Sequence, residues 1–269
     1  MMNNPPPLDP TTTCDTLYNS AVTLLQPVKG YRVNLDTVLL AAAIPKMTGK
    51  AIELGAGVGG VSLGVARRCP GLQITAVELD VSMVQLLEQN ITRNAMADRI
   101  TAIKADAVMA NPPWAGQMDV VMTNPPYHDA ASTLSPNPQQ SLAKATADLA
   151  AWLSAAAAAL KPKGRLVMIC RADRLDHAMA ALAADFGEIA IKPVQPKLSE
   201  PAKRVLITAR KGVKGGGAIL PSFVIGQETA SDVMGGQNLT PQMLAVQNGE
   251  AGIDMAIPGR HMKNSAASS

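Results

Sequence analysis

Three acids, three glycines and one asparagine stand where a chain of this kind can do chemistry. Glu53 immediately precedes a glycine-rich turn in "AIELGAGVGGVSLGVARRC" (51–69), which carries Gly55, Gly57 and Gly59. Glu78 closes the next apolar run, and Asp106 follows a third in "AIKADAV". Asn124 ends a fourth, in "VVMTNPPYHD" (120–129). Glycines let a backbone turn tightly and approach a ligand closely. Gly55, Gly57 and Gly60 also satisfy the G-x-G-x-x-G pattern of dinucleotide sites, with Glu78 at about the spacing of an acid that binds a ribose diol. These residues point to a cofactor containing adenosine.

Glu53 and Asp106 narrow the choice. A carboxylate at the mouth of the loop repels a pyrophosphate in a partly desolvated site. It suits S-adenosylmethionine (SAM), which carries a sulfonium and an ammonium group and no phosphate. Asp106 can accept the adenine amino N–H. Plainer roles stand beside these. Asp106 also suits a helix cap, Glu53 a partner for a helix dipole, and Glu78 a solvated acid at a strand end.

The elements that must hold these groups alternate. Strand patterns fall at 50–54, 73–78, 100–104, 118–123, 165–170, 188–192 and 203–209, and helical patterns at 35–43, 59–68, 81–95, 141–160 and 174–185. Asn34 suits the N-cap of the first helix. Such alternation predicts an α/β fold with a mostly parallel seven-stranded sheet covered by helices on both faces. The last strand, "KRVLITAR", alternates more and is expected to run antiparallel. The functional acids then sit on the edge where open α/β sheets bind ligands. The prolines after Asn124 lack an N–H and fix φ, so they end the fourth strand stiffly.

The remaining sequence sets bounds. Residues 1–20, rich in Pro, Asn and Thr, read as a disordered tail. The domain spans 21–212, and 213–269 form a loosely packed Gly/Ser-rich extension with one short helix at 239–247. No apolar run reaches the length of a transmembrane helix, and the start lacks the pattern of a secretory signal. Cys14, Cys69 and Cys170 have no metal-ligand spacing. The expectation is a reduced, cytoplasmic protein with neither metal nor membrane contact; the sequence leaves the oligomeric state open, with a monomer slightly favoured. The net charge of +3 permits an anionic partner without requiring one.

"ELGAGVGG", "VELD", "KADA" and "TNPPY", in this order, resemble the class I SAM-dependent methyltransferases, whose Rossmann-like fold the pattern above fits. The tetrapeptide Asn124-Pro125-Pro126-Tyr127 resembles the motif of enzymes that methylate planar amine or amide nitrogens: adenine N6, guanine N2 and glutamine N5. The resemblance implies catalytic roles for Asn124, Pro125 and Tyr127, and SAM binding by Glu53, Gly55, Gly57, Gly59, Glu78, Asp106 and Asn124. An exocyclic amine is a poor nucleophile because its lone pair is delocalised. The Asn124 side-chain carbonyl and the Pro125 main-chain carbonyl can accept its two N–H groups, favouring the tetrahedral, positively charged nitrogen of the transition state. Tyr127 offers a stacking face. His128 and Asp129 follow at the substrate mouth, or in an ordinary loop. "NPPW" (111–114) lacks a preceding strand and reads as a loop, and Trp152 reads as a core residue.

The flanks narrow the resemblance further. "QPVKGYRVNLDTVLLAAAIP" (26–45), "RADRLDHAMAAL" (171–182) and "EPAKRVLITARKG" (200–212) resemble the bacterial family that methylates tRNA1(Val) at N6 of adenine 37, beside the anticodon. That implies tRNA as partner. Lys192, Lys197, Lys203, Arg204, Arg210, Lys211 and Lys214 are opposed over their span by Glu200 alone, and Lys29 and Arg32 lie near the start. Flanking a pocket, such cations hold phosphates. The alternatives are a glutamine N5-methyltransferase of release factors, a guanine N2-methyltransferase of ribosomal RNA, and a catalytically silent RNA-binding relative. A nicotinamide-dependent oxidoreductase would need a hydride-transfer site, for which the sequence offers no convincing residues.

Overall fold

The computed structural model describes residues 11–30, 32–126, 138–228 and 238–259. Two strands, β1 (Thr12–Leu17) and β2 (Val22–Pro27), open the chain as an antiparallel hairpin. The series then runs α1 (Leu35–Ala43), β3 (Gly49–Leu54), α2 (Gly60–Arg68), β4 (Leu72–Glu78), α3 (Val81–Arg93), β5 (Ile100–Lys104) and β6 (Met118–Thr123). After these come α4 (Pro138–Ala159), β7 (Leu160–Arg171), α5 (Leu175–Leu182), β8 (Phe186–Gln195) and β9 (Arg204–Lys211). Two-residue strands β10 (Ala218–Ile219) and β11 (Phe223–Val224) and helix α6 (Pro241–Gln247) follow.

The long strands order as β8-β9-β7-β6-β3-β4-β5. β3 through β7 are mutually parallel, and β9 runs antiparallel to both β7 and β8. This is the expected Rossmann-like α/β arrangement. One core joins α1, α2 and α3 to the sheet through residues such as Leu39, Leu63 and Leu87. A second joins α4 and α5 through residues such as Leu153 and Leu182. α1 begins at the expected cap, where Asn34 Oδ1 accepts the Asp36 N–H at 2.9 Å.

Three expectations are corrected. Among the described residues the sheet has nine strands, because β10 and β11 add to β8 in parallel. Two residues are too few to show an alternating pattern. The expected disorder of 1–20 does not hold for Thr12–Leu17, where β-branched threonines pair with the buried β2. Helix α3 holds that hairpin. Asn90 exchanges hydrogen bonds with both the N–H and the C=O of Leu25, and Asn94 does the same with Thr23. Two side-chain amides one helical turn apart thus imitate a neighbouring strand. The described residues of the extension after 212 are not loose either. Phe223, Met243, Val246, Ile253 and Met255 are buried in the first core, and the Ile253 N–H donates to the Ala42 carbonyl at the end of α1.

Candidate active site

The carboxyl ends of β3, β4, β5 and β6 bring the expected residues to one edge. Leu54 pairs with Val77 on one side and Thr123 on the other, and Glu78 pairs with Lys104. Gly55 therefore leaves the sheet between the strand that ends in Glu78 and the one that leads into Asn124. Asp106 follows β5 two strands away.

The loop requires glycine. Gly55, Gly57 and Gly59 have φ of +74°, +53° and +90°, a region where a Cβ is disfavoured. At Gly59 a Cβ would also collide with Leu87. The Gly55 and Ala56 N–H groups both donate to the Val77 carbonyl. The Gly57 N–H donates to Glu78 Oε2 at 2.8 Å, and Asn90 Nδ2 donates to the Val58 carbonyl at 2.9 Å. The loop is therefore fixed by groups distant in sequence. Glu78 remains partly exposed, and its Oε1 accepts the N–H groups of Leu79 and Asp80.

Glu53 lies deeper than its place in the sequence suggests. Gly59 occupies the N-cap of α2 without a side chain to cap it. Glu53 supplies the missing acceptor, because its Oε2 receives both the N–H and the hydroxyl of Ser62. The side chain is 4% exposed. Burial pushes its pKa up to about 8; the Ser62 hydrogen bonds oppose the shift and the Glu78 charge adds to it. Burial thus favours the protonated form, and through Ser62 the Glu53 side chain holds the first turn of α2. Asp106 is exposed and accepts the Val108 N–H at 3.0 Å, capping a turn rather than a helix.

Asn124 is half-buried and Pro125 buried. Tyr127, His128 and Asp129 lie outside the described residues. "NPPW" is a loop, as expected, with Asn111 at φ +52° and Trp114 buried.

Four features escaped the sequence reading. Trp152 is only partly buried, and its Nε1 donates to Thr123 Oγ1 at 2.8 Å. Leu79, Val108 and Met109 are exposed apolar residues next to Glu78 and Asp106. The basic residues divide: Lys197, Lys203 and Arg204 line a cavity of about 790 Å³ at the carboxyl edge, floored by Val33, Leu39 and Met243. Arg210 and Lys211 close the far end of β9, where they donate to the Lys163 and Leu160 carbonyls. Lastly, Arg204 is paired with Asp36 at 3.0 Å, so its charge is already balanced.

These residues fit SAM. The acids Glu78 and Asp106 stand at the same edge as the exposed apolar side chains of Leu79, Val108 and Met109, which can flank a purine. That set suits a cationic, phosphate-free nucleoside better than a dinucleotide.

The sequence matches the model of the family described as "Methyltransferase small domain" over residues 30–197. It is 30% identical over 86 residues to the tRNA1(Val) (adenine(37)-N6)-methyltransferase of Vibrio campbellii, covering 31% of this chain and 35% of that protein. It is 29% identical over 196 residues to the protein of the same name from Glaesserella parasuis, covering 66% and 75%. The first match therefore spans about a third of its relative's length. The fold is shared with the crystal structure of a predicted O-methyltransferase from Agrobacterium tumefaciens, with TM-score 0.68 and 23% identity over 81% of this chain and 98% of that one. Since the family match takes in more than half of the chain, from just before α1 to just past β8, the chain belongs to the methyltransferase small domain family.

Proposed function

We propose that the chain transfers a methyl group from SAM to N6 of an adenine in tRNA, at adenine 37 beside the anticodon of tRNA(Val). One observation carries the reading. Asn124 leaves the sheet beside the glycine loop, in the register set by Leu54 and Thr123. When bound, SAM supplies an electrophilic methyl group on a sulfonium.

The chain's own residues do the rest. Glu78 holds the ribose hydroxyls, and its bond to Gly57 keeps the loop in place while it does so. Asp106 takes the adenine amino group. The Asn124 carbonyl and the Pro125 carbonyl accept the two N–H groups of the target amine. Pro125 and Pro126 keep the second acceptor aimed, because neither has free rotation about φ. Acceptors fixed before reaction stabilise the developing positive charge without reorganising. The target nitrogen, held by Asn124 and Pro125, would take the methyl group that SAM supplies and would then lose a proton made acidic by the change, so no strong base is required. The relatives named for this activity support tRNA as the substrate class.

Mass spectrometry of nucleosides from bulk tRNA, with and without the gene, tests the reading. Loss of N6-methyladenosine on deletion is expected. An unchanged tRNA profile contradicts it, and a change confined to ribosomal RNA transfers the reading to the other RNA class.

A further inference from the structure

The ladder between β3 and β6 ends at Leu54 and Thr123. Beyond that point the two chains part. The glycine loop turns to the Val77 carbonyl. The other chain continues as Asn124-Pro125-Pro126, and two prolines offer no N–H to extend the pairing. Side chains make the tie at the mouth. Thr123 is fully buried, and its hydroxyl donates to the Leu54 carbonyl at 2.9 Å. The same oxygen accepts the Trp152 indole N–H at 2.8 Å. The indole also lies against the loop, since a Cβ on Gly55 would meet Trp152 Cζ2 and Cη2 at 3.2 Å.

We infer that Trp152, acting through Thr123, is a positioning residue that sets the spacing between the SAM loop and the Asn124 acceptor. The inference rests on the methyl-transfer reading above and adds to it a residue on α4, a helix that the motifs do not include. One hydroxyl joins the residue before Asn124 to the residue before Gly55, and one indole touches both sides. If that tie is lost, each half keeps its own structure: the loop is still held by Glu78 and Asn90. What changes is the distance between donor and acceptor. In-line transfer is sensitive to that distance, and a misplacement of about 1 Å costs on the order of 10²-fold in rate.

The test uses the full chain with Trp152→Phe, Thr123→Val and Thr123→Ser. Phenylalanine removes the N–H together with the outer indole atoms that face Gly55, whereas Thr123→Val removes the hydrogen-bonded tie alone. Valine keeps the shape of threonine and removes the hydroxyl, while serine keeps the hydroxyl. The measurements are SAM Kd by calorimetry, Tm, and kcat and KM for methyl transfer to tRNA. The expected result is a fall in kcat of about tenfold for Trp152→Phe and roughly 10- to 100-fold for Thr123→Val. SAM Kd and KM should stay within about twofold, and Thr123→Ser should recover most of kcat. Wild-type kcat in both Trp152→Phe and Thr123→Val overturns the inference and leaves the methyl-transfer reading standing. Parallel losses of Tm, SAM affinity and kcat, unrecovered by serine, overturn it in favour of a packing role. A wild-type chain that methylates neither tRNA nor ribosomal RNA overturns the reading and the inference together.

Discussion

Glu78 Oε2 accepts the Gly57 N–H at 2.8 Å, so the carboxylate expected to bind ribose also fixes the loop beneath it. The two tasks can be separated by substitution. Glu78→Ala removes both the acceptor for Gly57 and the charge. Charge-assisted hydrogen bonds contribute roughly 1.5–3 kcal/mol each, which corresponds to about tenfold or more in SAM affinity per lost bond. Glu78→Gln keeps one acceptor oxygen for the loop and is expected to lose less. Calorimetric titration with SAM decides, and equal, wild-type-like affinity in both variants would remove Glu78 from the site.

Asn124→Ala is expected to separate binding from chemistry. SAM affinity should stay nearly intact, because the loop and Glu78 are untouched. Turnover should fall by on the order of 10²–10³, the usual cost of one lost preorganised polar group. Single-turnover transfer measured alongside SAM calorimetry shows the split. Matching losses in both would mark Asn124 as a folding residue.

Glu53 gives a pH dependence. Its folded pKa, about 8, lies above the ordinary glutamate value of 4.5, so the folded state holds the proton over a range in which the unfolded state has lost it. The contribution to stability is therefore fully present below about 4.5 and is lost as pH rises through about 8. Glu53→Gln stays neutral at every pH and should flatten this slope. Tm measured from pH 4.5 to 8.5 in both proteins reads it directly. A slope unchanged in the variant assigns it to other groups.

RNA affinity should fall with salt, with a log–log slope of about −0.7 to −0.9 per phosphate contact. Reversing Lys197 and Lys203 together to glutamate should flatten that slope and leave SAM affinity alone. Arg204 is the wrong residue for this purpose. It is paired at 3.0 Å with Asp36, whose side chain is only 16% exposed, so reversing it strains the contact between α1 and β9, whereas Lys203 faces the more exposed Glu200 at 3.7 Å. An unaltered slope in the double variant would exclude the cavity rim from RNA contact.

Much of the fold could be read along the chain because apolar runs alternate with helical periodicity. α1, β5 and β6 fall on their expected residues, and Asn34 caps where expected. The greater alternation of "KRVLITAR" marked the antiparallel β9. What stayed hidden depends on partners far apart in sequence. The hairpin at the start looks disordered until Asn90 meets Leu25 across 65 residues. That Glu53 also receives Ser62 at the start of α2 is not visible along the chain. Trp152 reads as a core residue because the sequence does not show that its N–H reaches Thr123. The extension past β9 reads as loose because its buried side chains, Phe223 to Met255, are widely spaced.

Methyl transfer from labelled SAM to purified tRNA, with digestion to nucleosides, tests the central claim most directly. Release factor and ribosomal RNA serve as parallel substrates. The Asn124 site acting on tRNA predicts label in N6-methyladenosine, and loss of that label in Asn124→Ala. Label appearing only on a glutamine of the release factor, or only as N2-methylguanosine in ribosomal RNA, would contradict the claim.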